Sequence, residues 1–264
     1  MDNKLKNIAR IVILFWLVGW YIKLGFYGPY LLDTARQFPV RHPMFPAFFQ
    51  DPAVANTFYF LPLIIVPMLF LRRSRQIYLR ISAFLMVLCP LVLNLHIDTC
   101  NDATFVTSFW AGLWLLWFVF HQKNLSHAKT LAVGVVSIIF WGGFVGKLTP
   151  EYWNGQVMTQ ILQDSGDKQL LGQILFPVTP ETRETFMLWF SRFSIVTEAV
   201  LACSFLWPVR LAFILLCGSL VGFCLFSSWK ILSVLSCLVG LMLAAWLLER
   251  YRLQINKENH HEKL

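Results

Sequence analysis

The sequence predicts an all-α integral membrane protein of about eight transmembrane helices, with its N- and C-termini both cytoplasmic. Three observations carry this reading. Hydrophobic residues make up 57% of the 264 and charged residues only 14%, against about 25% charged in a typical soluble domain. The apolar residues fall into runs close to the ~20 that cross a hydrocarbon core as helix. The cations gather between alternate runs. Lipid accommodates so much apolar surface where water does not, provided every backbone polar group is satisfied within a helix.

The chain opens Met1-Asp2-Asn3-Lys4-Leu5-Lys6 and enters an apolar run over 8–31. Bulky residues continue through Leu24, with no small-residue cleavage site, so this is expected to be a retained first helix and not a signal peptide. Further spans are expected near 56–71, 77–95, 103–120, 131–148, 185–207, 211–228 and 231–248, in one transmembrane domain covering 1–264. Two longer outer segments, 32–55 and 149–184, and a cytoplasmic tail, 249–264, complete the chain. In the first outer segment, Phe38-Pro39-Val40-Arg41-His42-Pro43-Met44-Phe45-Pro46 opposes a regular helix. In the second, Gln156 to Leu162 and Lys168 to Leu175 have apolar residues at helical spacing and predict short amphipathic helices.

Orientation follows from the cations. With the N-terminus inside, the inner segments hold fourteen: Lys4, Lys6, Arg10, Arg72, Arg73, Arg75, Arg80, Lys123, Lys129, Arg210, Arg250, Arg252, Lys257 and Lys263. The outer segments hold five, Arg36, Arg41, Lys168, Arg183 and Lys230. That is the positive-inside bias, and an even number of spans returns the C-terminus to the same side. The net charge of +8 therefore reports orientation, and nucleic acid is excluded as a partner. The bilayer itself is the expected one. Five of the six cysteines lie in apolar runs and only Cys100 in a loop, without CxxC spacing, so they read as small core residues. Walker, GxGxxG, GxSxG and HExxH patterns are absent from the sequence.

Four charged residues fall within spans: Lys23, Lys147, Arg192 and Glu198. Each costs about 2.5–3.5 kcal/mol at the bilayer centre on insertion scales, so each needs a partner, water, or reach to the interface. Lys23 and Lys147 lie toward the outer ends of their spans, where a lysine can simply snorkel. Arg192 and Glu198 are six residues apart and not on one face of their helix; Glu198 is the deeper of the two. Opposite charge makes Lys147 and Glu198 candidates to pair. Two readings stand: a structural ion pair, or a polar cavity opening outward. His96, Asp98, Asn101 and Asp102 cluster at the outer ends of the third and fourth spans. They are either a solvated turn or a proton relay or weak metal site.

The stretch Gly142-Gly143-Phe144-Val145-Gly146-Lys147-Leu148-Thr149-Pro150-Glu151-Tyr152-Trp153-Asn154-Gly155 carries the most information. Its glycines predict close approach of a helix or ligand. Desolvation at the apolar edge favours the neutral amine of Lys147, the form that acts as a base. Trp153 is expected at the headgroups. The Lys147-Leu148, Glu151, Trp153 and Gly155 pattern resembles the horizontally transferred transmembrane (HTTM) domain family, related to the membrane part of vitamin K-dependent gamma-carboxylases. The resemblance implies an outward-facing pocket with Lys147 as catalytic residue and Glu198, Arg192, Lys23, Trp153, Glu151 and Asp102 around it. It implies a reduced quinone as cofactor, a peptide or membrane-protein partner, and residence in a bacterial inner membrane. Two departures separate the chain from the carboxylases. Ala103, after Asn101-Asp102, stands where they carry His, and the chain is expected to lack their soluble domain. Two other functions remain open from sequence: a non-catalytic partner, chaperone or immunity protein of the membrane, and a redox component like the DoxX or MauE families.

Overall fold

A computed structural model describes residues 2–32, 48, 51–71, 76–95, 103–165, 179–226 and 231–261. Among them there are ten α-helices and no strand. The helices are α1 (Asn3–Leu32), α2 (Pro52–Leu71), α3 (Gln76–Leu95), α4 (Ala103–Phe120), α5 (Leu125–Gly146), α6 (Pro150–Trp153), α7 (Gln156–Ser165), α8 (Pro180–Ala202), α9 (Val209–Phe226) and α10 (Leu232–His261). Seven are long and apolar enough to cross a membrane: α1 to α5, α8 and α10. The seventh expected span corresponds to α9, whose apolar stretch Val209–Cys224 is shorter.

Several boundaries differ from expectation for identifiable reasons. Three helices begin at a proline that follows a capping residue. Asp51 accepts from the Ala53 amide at 2.8 Å ahead of Pro52. Thr149 precedes Pro150 and accepts from the Tyr152 amide at 3.4 Å. Thr179 precedes Pro180, its hydroxyl 2.9 Å from that of Thr182. Proline at the first helical position lacks only an amide that would be orphaned anyway, and Glu151 and Glu181 add anionic first turns. Residues 180–184, expected in an outer segment, are therefore helix. The tail after residue 248 is helix as far as His261, because its Glu, Arg, Gln and Lys residues are strong helix formers. Most of the Pro-rich outer segment, and the piece Lys168 to Leu175, lie outside the described residues.

The chain forms two compact units, residues 1–132 with 233–264, and residues 133–232. The first is built around aromatic rings. Trp16 stacks on Trp20 at 4.4 Å, Trp20 on Tyr59 at 5.1 Å, and Phe105 meets Trp20 edge-on at 5.7 Å. The polar tips are satisfied inside this stack. The Trp20 indole donates to Ser108 at 2.9 Å and the Tyr59 hydroxyl to the Trp20 carbonyl at 3.1 Å. Thr104 and Ser233 pair at 2.8 Å. At Gly112 a Cβ would collide with the Met86 carbonyl, so glycine permits the contact between α3 and α4.

One end of this unit gathers both chain termini. Tyr251 donates to Asp2 at 2.6 Å, Lys4 to Gln254 at 3.4 Å, Lys129 pairs with Glu249 at 3.1 Å, and Arg252 donates to Ser126 at 3.2 Å. The Tyr251 hydroxyl holds the Asp2 carboxyl below its ordinary range.

In the second unit α8 runs antiparallel to the latter half of α5 and then to α6 and α7. Ser137 pairs with Ser204 at 2.8 Å. Beyond the end of α5, Ser191 donates to the Tyr152 carbonyl. Gly155 follows with φ +78°, and a Cβ there would stand 2.9 Å from the Leu188 backbone. Met158 and Met187 close the far end, flanked by Tyr152, Phe186 and Phe190.

Candidate functional site

Helix α5 ends at Gly146 and tightens in its last turn, with the Lys147 amide donating to the Phe144 carbonyl at 3.0 Å. The Lys147 side chain then meets the Glu198 carboxylate in a hydrogen-bonded ion pair. Their side chains are 18% and 11% exposed. Neutralising each charge with the other offsets the cost of holding both among apolar helices. Glu198 is deeper than Arg192 along α8, as its number suggests. Because α8 reaches past α5, however, Glu198 lies level with the end of α5 and meets Lys147 there.

Gly143 makes the room. A Cβ at this position would stand 2.9 Å from Glu198 Oε2 and 3.3 Å from its Cδ. Gly142 and Gly146 differ: a Cβ on either meets nothing within 4 Å. The expectation that all three permit close approach holds only for Gly143, since one face of α5 meets α8 and residues 142 and 146 point elsewhere. Glu198 Oε1 takes the lysine. Oε2 is buried and has no donor among the described residues, leaving acceptor capacity unused. The Tyr152 ring lies 5.9 Å from the Lys147 ammonium. Burial, and then the Glu198 charge, push the Tyr152 phenol above its ordinary value.

Arg192 forms a second constellation. Its guanidinium lies 5.1 Å from the Trp153 ring centre and 5.5 Å from that of Trp189, and its Nε donates to the Trp153 carbonyl at 3.4 Å. Both indoles are largely exposed, at 49% and 62%. Glu151 is exposed in the first turn of α6. Lys23 belongs to the first unit, where it is buried with its ammonium 5.9 Å from the Phe105 ring. Asp102, with His96, Asp98, Cys100 and Asn101, lies outside the described residues.

Thus the structure joins Lys147 to Glu198, and Arg192 to Trp153. The contributions of Ser191, Tyr152 and Trp189 were not foreseen. Thr149-Pro150-Glu151 carried the available signal, because a helix starting there turns Tyr152 back toward Lys147. Among the described residues no three His, Cys, Asp or Glu side chains gather as metal ligands, and Cys89, Cys203, Cys217, Cys224 and Cys237 are free thiols. Comparison with family models, curated proteins and solved structures finds no match to this chain.

Proposed function

We propose that the chain is an HTTM-like polytopic membrane protein whose Lys147–Glu198 pair forms a polar pocket for a ligand arriving through lipid, a reduced quinone or a peptide. The observation that carries this is the unused Glu198 oxygen. A paired carboxylate with one oxygen satisfied and one buried without a donor offers an acceptor to a hydroxyl or amide N–H, and the lysine beside it offers donors. Quinol hydroxyls match that set. Lys147 would hold or move the proton of a bound hydroxyl, Glu198 would orient the amine, and Tyr152 would wall the site.

In this reading the chain crosses the membrane eight times, with α9 as the short crossing. The end of the first unit that carries Lys4, Lys129, Arg252 and both termini faces the cytoplasm by the positive-inside rule. Lys147 opens to the opposite side, and the membrane is the bacterial inner membrane.

A second reading is favoured by the mutual neutralisation of the pair, which suits a structural latch in a non-catalytic membrane partner or chaperone. One experiment separates the two. A short-chain naphthoquinol titrated into the purified full-length protein is expected to quench tryptophan fluorescence saturably. Lys147→Ala is expected to abolish the saturable part while membrane insertion is unchanged. Unaltered quenching in that variant rejects the pocket. Absence of saturable quenching in the native protein favours the latch.

A further inference from the structure

A groove of about 620 Å³ runs between α8 and α9 of the second unit, within the ~300–1,000 Å³ typical of small-molecule sites. Its walls include Phe186, Phe193, Val196 and Leu201 from α8 and Ile214 and Phe223 from α9. Phe193, Val196 and Ile214 are all exposed, so the groove opens sideways. Gly218 and Gly222 also line it, and a Cβ on either would meet nothing within 4 Å. The glycines therefore widen the groove without admitting a neighbouring helix of the unit.

Two features say what fits. Ser194 lines the groove, is 2% exposed, and has a hydroxyl without a partner among the described residues. Ser219, across the groove, already donates to the Leu215 carbonyl at 2.7 Å. The occupant therefore brings an acceptor to the level of Ser194. The second feature is Arg192, which adjoins Phe193 and stands one turn from Val196 on the rim, held between two indoles. From Arg192 to Leu201 is nine residues, or about 14 Å of helix at 1.5 Å each. That is close to half of the ~30 Å hydrocarbon core, the depth of one leaflet, and tryptophans at the Arg192 level suit the interface.

We propose that this groove holds one acyl chain of a phospholipid, with the lipid phosphate on Arg192 and an ester carbonyl on Ser194. A guanidinium stacked on indoles keeps its N–H edge for phosphate oxygens. A transmembrane helix fits less well, because its carbonyls are already used within the helix and its width keeps them from a serine so deeply set.

Native mass spectrometry of the full-length protein in detergent tests this, with phosphatidylglycerol and a diacylglycerol of the same chains added separately. The native protein is expected to retain one phosphatidylglycerol at least ~10-fold more strongly than the diacylglycerol. Gly218→Leu with Gly222→Leu fills the groove with side chains that have room, and is expected to remove retention of both lipids. Phe193→Ala removes one exposed wall and is expected to weaken both. Arg192→Gln is expected to bring phosphatidylglycerol down to the diacylglycerol level. Equal retention of phosphatidylglycerol by the filled-groove and native proteins overturns the proposal. So does an Arg192→Gln protein that keeps the preference. A dimer mass lost in the filled-groove protein would instead identify a second copy as the occupant and would equally overturn it.

Discussion

In the first unit Gly112 lies so close to the Met86 carbonyl that no side chain fits, whereas in the second Gly218 and Gly222 border open space. The polar groups follow the same division. Ser108, Tyr59 and Thr104 each have a bonded partner inside the aromatic stack. Glu198 Oε2 and the Ser194 hydroxyl have none among the described residues. Packing to full contact and unmet bonding capacity are physically opposed. A side chain closed in by well-paired neighbours offers nothing to a ligand, and an unsatisfied buried acceptor persists only where something compensates it. The first unit has the character of a scaffold, and the second that of a place where other molecules are received.

Substitutions sharpen this contrast, and the largest effect is expected at the ion pair. Lys147→Met leaves Glu198 buried without its cation and is expected to cost ~3–5 kcal/mol. Replacing both partners, as Lys147→Met with Glu198→Leu, is expected to recover most of that loss. Thermal unfolding in detergent reads both, and a single variant as stable as the native protein would mean that the pair is solvated. Next come the glycines. Gly112→Ala is expected to cost about 1–3 kcal/mol by overpacking. Gly218→Ala, with open space and better helix propensity, is expected to be neutral or to stabilise by up to ~1 kcal/mol. Equal effects at the two positions would erase the distinction between the units. The smallest effect is expected from Ser108→Ala, which leaves the Trp20 indole N–H without its acceptor at a cost of ~1–3 kcal/mol, toward the lower end if the indole finds Thr107 or a carbonyl. A shift of the Trp20 fluorescence maximum would report it.

The helices were legible because lipid imposes a simple rule: backbone polar groups must pair within a segment, and the segment must be apolar over ~20 residues. The opposite charges of Lys147 and Glu198 in apolar runs made their pairing a natural expectation, and coordinates bring them together. Boundaries were less legible. Asp51-Pro52, Thr149-Pro150 and Thr179-Pro180 are helix starts written in the sequence, but apolar runs drew the attention and these sit outside them. The glycine cluster was half legible. Spacing marks Gly142, Gly143 and Gly146 as alike, and only the direction in which α8 approaches α5 separates Gly143 from the others. The pairing of Arg192 with Trp153 and Trp189 depends on α8 reaching beyond the end of α5, which composition does not reveal.

What the sequence by itself determined is the solvent of this protein and the character of its segments: apolar helices for a bilayer, cations sorted between them, and a few charges that require compensation. These follow from transfer free energies that each residue carries wherever it sits. What only the tertiary structure decided is which faces meet. That Glu198 leaves an oxygen unpaired beside Gly143, and that α8 and α9 stand apart around Ser194, depend on the register and spacing of helices far apart in the chain. Contacts of that kind are set by side-chain shape along whole helix faces, and no local pattern encodes them.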